Sequence, residues 1–456
     1  MTDRTTRKAR VRGTHSHQNL APERLTAPEA LDRAVWPEEP ATRPDCPHPS
    51  QSPPQPRVEA FTDDRPTVHV IGLHHTVPSE AFSHCAFTGK VLRFPLVLHR
   101  AGYRVVEYAN GVSESEADEK VQIWSAAQLQ SLAGDRDLLD NTTSGLDSDE
   151  ELRELFGLLV CRELRRRVKP GDIVAHVFGM TSGALRMVKA FPQAIHVETG
   201  IGYGSGPFGC FRIFESEAWR AWHMGKYSAV QNGGGATWPN YAEITTTQVV
   251  PNYYAPERFP LGEPLRTQDG KRYALWCGRL TSIKGPEVVN LIAQNFPDIT
   301  FRMVSGEPLT EQFKRERLQA PNIEFCGRVT NRDALAKLYG GAIATIMPSM
   351  FWEPFGGVAV ESLFCGTPVL CPDYAAFVET VPEITDGVRC NTPRDYVDGF
   401  RYILEHEAMY AMPEGRAARR ARAIERFGIE TVGLRYRAAL DAVRRWHGQG
   451  LKPEGA

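Results

Sequence analysis

Two carboxylates stand eight positions apart in MPSMFWEPFGGVAVESLFCGTP. Glu353 lies in a loop after an apolar run that ends at Pro348, and Glu361 lies on the helix that Gly356 and Gly357 open. Free N–H groups at a helix N-terminus favour an anion or a strongly polar ligand, and the two glycines let it approach the backbone. Carboxylates facing hydroxyls hold ribose and sugar rings, so one glutamate reads as the mouth of a cleft and the other as a deeper contact. A glutamate at a helix start is also ordinary dipole compensation. The Pro-Phe-Gly-Gly context and the Cys-Gly-Thr-Pro exit tip the reading toward a ligand. A second loop, WCGRLTSIKGPE, follows a strand and precedes a helix, with Arg279 and Lys284 beside Gly278 and Gly285. Two cations on one strand-end loop suit a diphosphate: Arg chelates phosphate oxygens with its fork, and Lys adds a point charge. No GxxxxGK[ST] occurs, so this is not a Walker loop. Alone, the pattern is weak, and two solvated cations are its default reading.

The remaining composition bounds what these residues can belong to. The chain has 456 residues, 42% hydrophobic and 24% charged, as in a soluble globular protein long enough for two domains. Lys and Arg number 53 and Asp and Glu 55, a formal charge of -2. That excludes a globally basic nucleic-acid coat and leaves a local basic groove open. No run of about 18 apolar residues occurs, so a membrane-spanning helix is not expected. The start, MTDRTTRKARVRG, lacks the apolar stretch of a secretory signal. The cysteines, Cys46, Cys85, Cys161, Cys210, Cys277, Cys326, Cys365, Cys371 and Cys390, form no CxxC, and several sit in apolar runs. They read as reduced, buried thiols of a cytoplasmic protein, and no zinc spacing is present.

The elements that must position the chemistry come in two series. Residues 1–65 are rich in Pro, Arg, Thr and His and are predicted to be a disordered tail. Its basic cluster, Arg4, Arg7, Lys8, Arg10 and Arg12, reads as solvated, with a nucleic-acid or anionic-surface contact as the alternative. TVHVIGLHH is a buried strand entering a loop, and AFTGKVLRFPLVLHRAGYRVVEY continues as helix, turn and strand. Residues 110–150 read as an acidic insertion or long loop flanking a short helix. DIVAHVFG and QAIHVETG are further strands, the second leading into the glycine-rich loop Gly200–Gly209. NGGG at 232–235 reads as a tight turn. A Pro-rich linker covers about 251–270, and the alternation of strand and helix then restarts. The expectation is α/β: two Rossmann-like lobes, 66–255 and 270–430, with ligands at the carboxyl ends of the strands.

Taken together, GRLTSIKG, NIEFCGRV and EPFGGVAVESLFCGTPVL resemble the donor lobe of GT-B glycosyltransferases, in particular the retaining enzymes of family 4 (glycosyl transferases group 1). The resemblance runs from about Tyr273 to Cys371. Phe364-Cys365 departs from the family's small-residue pair, and Trp352 before the glutamate is a second departure. The resemblance implies a nucleotide-diphosphate sugar as donor, most often UDP-linked with GDP as the variant, and no bound cofactor or metal. It implies that Arg279 and Lys284 bind the diphosphate and that Glu361 holds the ribose. Glu353 would approach the transferred sugar beside the N–H groups of Phe355, Gly356 and Gly357. The loop at Arg328-Val329 would flank the base, and the loop after Gly72, with His74 and His75, would meet the diphosphate and sugar. A first-lobe histidine would contact the sugar. Of His176 and His196, the latter is favoured because the glycine-rich loop follows it, and a histidine merely satisfied by its neighbours is the alternative. The fold class also implies a C-terminal helix, 431–447, returning to the first lobe.

Other classes remain on the same fold: a sugar-nucleotide epimerase, a phosphorylase, or an inactive scaffold. The Glu-Pro-Phe-Gly-Gly loop speaks against the epimerase, the lack of a pyridoxal-phosphate lysine motif against the phosphorylase, and the retained Glu353 and Lys284 against the scaffold. The acceptor is open among saccharide, lipid-linked sugar, small metabolite, protein and a modified DNA base. RELRRRVK is a candidate basic stripe for DNA. The segment with Trp219, Arg220, Trp222, His223 and Lys226 is a candidate membrane-facing helix.

Overall fold

The computed structural model describes residues 65–451 except 84, 140–144, 180, 203–209 and 232–245, together with the backbone but not the side chains of 227–231. The basic N-terminal cluster, most of the 200–209 loop and NGGG at 232–235 lie outside the described residues. Strands β1 (Thr67–Ile71), β2 (Arg104–Ala109), β3 (Glu119–Gln122), β4 (Ile173–His176), β5 (Ile195–Glu198), β6 (Phe211–Phe214) and β7 (Thr247–Val249) make the first sheet. Its order is β3-β2-β1-β4-β5-β6-β7. Every pairing is parallel. Strands β1 and β4 are buried almost throughout, as a parallel sheet covered on both faces requires.

Helices α1 (Ala86–Arg100), α2 (Ala126–Ala133), α3 (Glu150–Leu164), α4 (Ser182–Ala190) and α5 (Glu217–Gln231) belong to this first lobe. Val91, Phe94, Val97 and Leu98 recur at helical spacing on α1 and face Val68, Val70 and Val105. Each such side chain withdrawn from water contributes about 1.5–3 kcal/mol. The opposite face is covered by α2, α3 and α4 through Leu129, Phe156, Val160 and Met187. The acidic stretch 110–150 is therefore more than an insertion. Its EKVQ forms β3, an edge strand in which only Val121 is buried, and Ser125 and Gln128 close a capping box at the start of α2.

The second sheet comprises β8 (Tyr273–Cys277), β9 (Thr300–Val304), β10 (Ile323–Gly327), β11 (Thr345–Ile346), β12 (Val369–Pro372) and β13 (Gly387–Cys390). Their order is β10-β9-β8-β11-β12-β13, again all parallel. The helices are α6 (Pro286–Asn295), α7 (Glu311–Arg317), α8 (Arg332–Gly341), α9 (Gly357–Phe364), α10 (Phe377–Thr380), α11 (Pro393–Glu405), α12 (Glu407–Tyr410), α13 (Pro413–Phe427) and α14 (Ile429–Gly448). Strands β8 and β11 are neighbours although three connections separate them in the chain. They flank the point where the strand order reverses, which is where ligands bind in such sheets.

The chain crosses between the lobes twice, and the crossings are bonded to each other. Tyr254 N–H donates to Phe427 O at 2.9 Å, and Ile429 N–H donates to Tyr254 O at 3.1 Å. Helix α14 then packs on α1, adding Val432, Tyr436, Leu440 and Val443 to the first lobe's core. Among the described residues no helix is long and apolar enough to cross a membrane.

Candidate active site

The loop after β8 and the loop after β11 carry the charges singled out above, and the adjacency of the strands brings them together. Met350 N–H donates to Ile283 O at 2.8 Å, joining the two loops through their backbones. Trp276, buried on β8, anchors the first loop through its indole N–H to Lys284 O at 3.1 Å. Lys284 then forms an ion pair with Glu353. The Glu353 carboxylate also accepts from Ser349 Oγ at 2.9 Å, and only 8% of the residue is exposed. A buried carboxylate matched by a cation and a hydroxyl is held in one orientation. Arg279 is exposed at the start of the same loop.

Helix α9 begins where the sequence placed it. Gly356 has a φ of 76°, and a Cβ there would lie 2.8 Å from the Phe377 ring. Its backbone conformation and its packing both require glycine. Gly357 starts the helix with a Cβ position only 2.5 Å from the Tyr254 hydroxyl. Phe355, 4% exposed, anchors the loop in the second lobe's core. Glu361 sits farther along α9, where Tyr339 Oη donates to it at 3.0 Å and Arg332 approaches at 3.9 Å. Arg332 was not singled out from the sequence. Its fork also meets Glu80 at 3.1 Å and Ser83 Oγ at 2.6 Å, so it links the first lobe to Glu361. The local signal for it is Asn331, whose side chain caps α8 through Ala334 N–H at 2.9 Å and fixes Arg332 in the first turn.

Val329 is half-buried against the second lobe's core. Arg328 donates to Gly306 O at 3.2 Å and to Leu139 O of the first lobe at 3.5 Å.

The first lobe places its expected residues differently. Gly72 lies so close to β2 that a Cβ would be 2.8 Å from Tyr108 O, so packing already accounts for the glycine. His74 bonds Leu146 O through Nε2 at 2.9 Å, and its ring meets that of His75 edge-on at 4.6 Å. His196, expected beside the sugar, has both ring nitrogens engaged inside its own lobe: Nε2 with Phe191 O at 3.0 Å and Nδ1 with His176 Nε2 at 3.1 Å. The contacts of this ring are those of the satisfied histidine, and they do not bring it to Glu353. Burial lowers the His196 pKa to about 4 and that of His176 well below the ordinary value.

The two acceptor signals also change. On the RELRRRVK stripe, Arg162, Arg166 and Arg167 pair with Glu163, and Arg167 also with Glu119. In the aromatic segment of α5, Trp219 is 1% and His223 0% exposed, so they face the lobe interior rather than a membrane. The described cysteines are free thiols.

Residues 261–422 match the family model of the glycosyl transferases group 1. Curated relatives align over part of the chain. A glycogen synthase of Mycobacterium tuberculosis is 31% identical over 206 residues, 42% of this chain and 47% of its own. A D-inositol 3-phosphate glycosyltransferase of Nocardiopsis dassonvillei is 30% identical over 165 residues, 32% of this chain and 37% of its own. The chain thus spans less than half the length of these relatives. Among solved structures, sucrose-phosphate synthase from Thermosynechococcus elongatus superposes with a TM-score of 0.58 at 17% identity, covering 83% of this chain and all of its own. HepE of Anabaena, solved with UDP, does so with a TM-score of 0.53 at 15% identity, again over 83% of this chain and 100% of its own. These superpositions extend the likeness from the matched segment to both lobes. The chain has the GT-B fold, and the match to the glycosyl transferases group 1 falls on its second lobe.

Proposed function

We propose that this protein is a retaining glycosyltransferase that moves a hexosyl group from a nucleoside-diphosphate sugar, UDP-linked in the first instance, to an acceptor hydroxyl. The observation that carries the reading is the meeting of Lys284 and Glu353 at the ends of adjacent strands, beside the N-terminus of α9. Arg279 and Lys284 supply positive charge for the diphosphate, the Phe355–Gly357 backbone adds N–H donors, and Glu361 takes the ribose hydroxyls. In the reaction the sugar C1–O bond breaks with its electron pair going to the β-phosphate. The acceptor oxygen bonds C1 on the face the phosphate leaves, and its proton passes to the departing phosphate oxygen. The barrier is charge development on the leaving diphosphate, which fixed positive charge lowers. The free thiols among the described residues, five of them buried, fit a reducing cytoplasm as the place of action.

The test is incubation with UDP-glucose, UDP-galactose, UDP-N-acetylglucosamine and GDP-mannose, following nucleotide release by chromatography and product anomers by NMR. Release of UDP with retained anomeric configuration is expected. Sugar interconversion would point to an epimerase, and inertness toward every donor to a scaffold. Lys284→Ala and Arg279→Ala should each slow release roughly ten- to a hundredfold, the worth of a charge-assisted phosphate contact. Full activity in both would place the diphosphate elsewhere.

A further inference from the structure

Glu353 is flanked on both sides by residues that the first lobe holds. Trp352 Nε1 donates to Ala218 O at 3.4 Å, and Pro354 O accepts from Ser216 Oγ at 2.7 Å. The same Ser216 Oγ accepts from Trp219 N–H at 3.0 Å, so it caps α5 and reaches the second lobe at once. Facing it is Glu379 on α10. Its Oε2 accepts from Glu217 N–H and its Oε1 from Ala218 N–H, each at 2.9 Å. One carboxylate of the second lobe thus satisfies two otherwise open donors at a helix N-terminus of the first, where the helix dipole also favours negative charge.

The segment that carries Glu379 supports Glu353 from the other side. Ala376 N–H donates to Glu353 O at 3.3 Å, and Tyr374 Oη donates to Ser349 O at 2.6 Å. Phe377 packs where a Gly356 side chain would stand. Ala375 adopts a φ of 54°, a left-handed conformation that a residue with a side chain keeps only when its surroundings hold it there. Arg426 fixes the far end, donating to Glu379 O and Thr380 O at 2.8 Å each. Segment 374–380 is one rigid bracket between the Glu353 loop and α5.

We propose that Glu379 is a positioning residue: by capping α5 it latches the two lobes together and sets Glu353 for transfer. The proposal rests on the transferase reading. Nucleotide contacts made by the second lobe do not need the latch, whereas the arrangement of Glu353 against the first lobe does. Contacts that matter chiefly in the closed, reacting arrangement act on turnover rather than on nucleotide affinity.

The test uses the full chain with Glu379→Ala, Glu379→Gln and Ser216→Ala. It compares kcat, UDP affinity by calorimetry, melting temperature, and radius of gyration by small-angle X-ray scattering. Glu379→Ala should lower kcat about tenfold or more, as expected when a charge-assisted contact is lost, and leave UDP affinity within about twofold. Its radius of gyration should rise. Glu379→Gln keeps one acceptor oxygen and should recover part of kcat, and Ser216→Ala should fall between the wild type and Glu379→Ala. An unchanged kcat in Glu379→Ala overturns the proposal. So does a loss of kcat matched by an equal loss of UDP affinity or a collapse of melting temperature, because the residue would then be structural. If the wild type releases nucleotide from no donor, the transferase reading fails. Scattering still decides the latch, which an unchanged radius in Glu379→Ala would refute.

Discussion

The two lobes share a parallel-sheet grammar and bury their polar groups in opposite ways. In the first lobe, His74, His75, His176, His196 and His223 are all 5% exposed or less. Beside them lie the buried ion pairs of Lys90 with Glu215 at 2.9 Å and of Arg212 with Glu198 at 3.1 Å. In the second lobe the buried cations are arginines. Arg416 and Arg419, 2% and 1% exposed, donate to the main-chain carbonyls of Gly262, Cys365, Gly366 and Thr385. Burial pulls the Arg419 pKa down only to about 10, so the guanidinium keeps its charge at neutral pH. Arginine makes a framework indifferent to pH, and histidine makes one conditional on it. The lobe that carries Lys284 and Glu353 is built on the indifferent framework.

The strongest way to break this contrast is to remove an arginine. Arg419 donates to Thr385 O and Gly366 O at 2.8 Å each and to Met409 O at 3.1 Å, tying α13 to two loops and to α12. Arg419→Ala leaves these carbonyls buried without donors, which costs on the order of 3–5 kcal/mol. The second lobe's calorimetric transition should fall by several degrees, equally at pH 5 and pH 7.5. A shift that appears only at one pH would mean that the arginines do not form a separate framework.

Acid should act on the first lobe in turn. Burial lowers the pKa of His74 to about 4, as for His196, and that of His223 to about 3. These groups fold neutral, and their ordinary pKa is 6.5. Their contribution to stability is complete above 6.5 and is lost as pH falls toward 4, because only the unfolded chain takes up the protons. A histidine lowered to about 4 loses on the order of 3 kcal/mol over that window. Melting at pH 7.5 and 5.0, with hydrogen exchange to locate the opening, should show the first lobe loosening on acidification while the second holds. Loosening of the second lobe first would invert the comparison.

What the sequence disclosed follows the range of the interactions. Arg279, Lys284, Glu353 and Glu361 lie on strand–loop–helix passages whose glycines and prolines are local signals, so their places on those passages were legible, whereas the contact of Lys284 with Glu353 was not. Residues that gain a role from the facing lobe were not. Arg332, Glu80, Ser216 and Glu379 read individually as ordinary helix-end polar residues, and only the packing of one lobe on the other pairs them with their partners. Strand β3 was missed for the reason edge strands usually are: EKVQ has one apolar residue and no alternation to count. His196 carried a persuasive neighbourhood, a strand end before glycines. The direction of its ring depended on His176 and Phe191, which no local pattern couples to it.

The finest distinction lies within the second lobe, between its two glutamates. Glu353 is held by Lys284 and Ser349 and flanked by residues bonded to α5 of the first lobe. Glu361 is held by Tyr339 and lies near Arg332. If Glu361 takes the ribose, its contact is the same before and during transfer. Glu361→Gln should then raise donor KM by a few-fold and leave kcat nearly intact. If Glu353 lies beside the transferred sugar, where charge develops, Glu353→Gln should lower kcat roughly tenfold with little change in UDP affinity. The amide preserves shape, and Ser349 can still donate to its oxygen, so both variants should fold and melt as the wild type does. Calorimetric UDP affinity beside kcat separates the outcomes. Loss of UDP affinity in Glu353→Gln with loss of turnover alone in Glu361→Gln would mean that the donor lies the other way round along α9. No change in either would reduce both residues to helix-start carboxylates, and the reading of the Lys284–Glu353 pair as a reaction centre would fall with them.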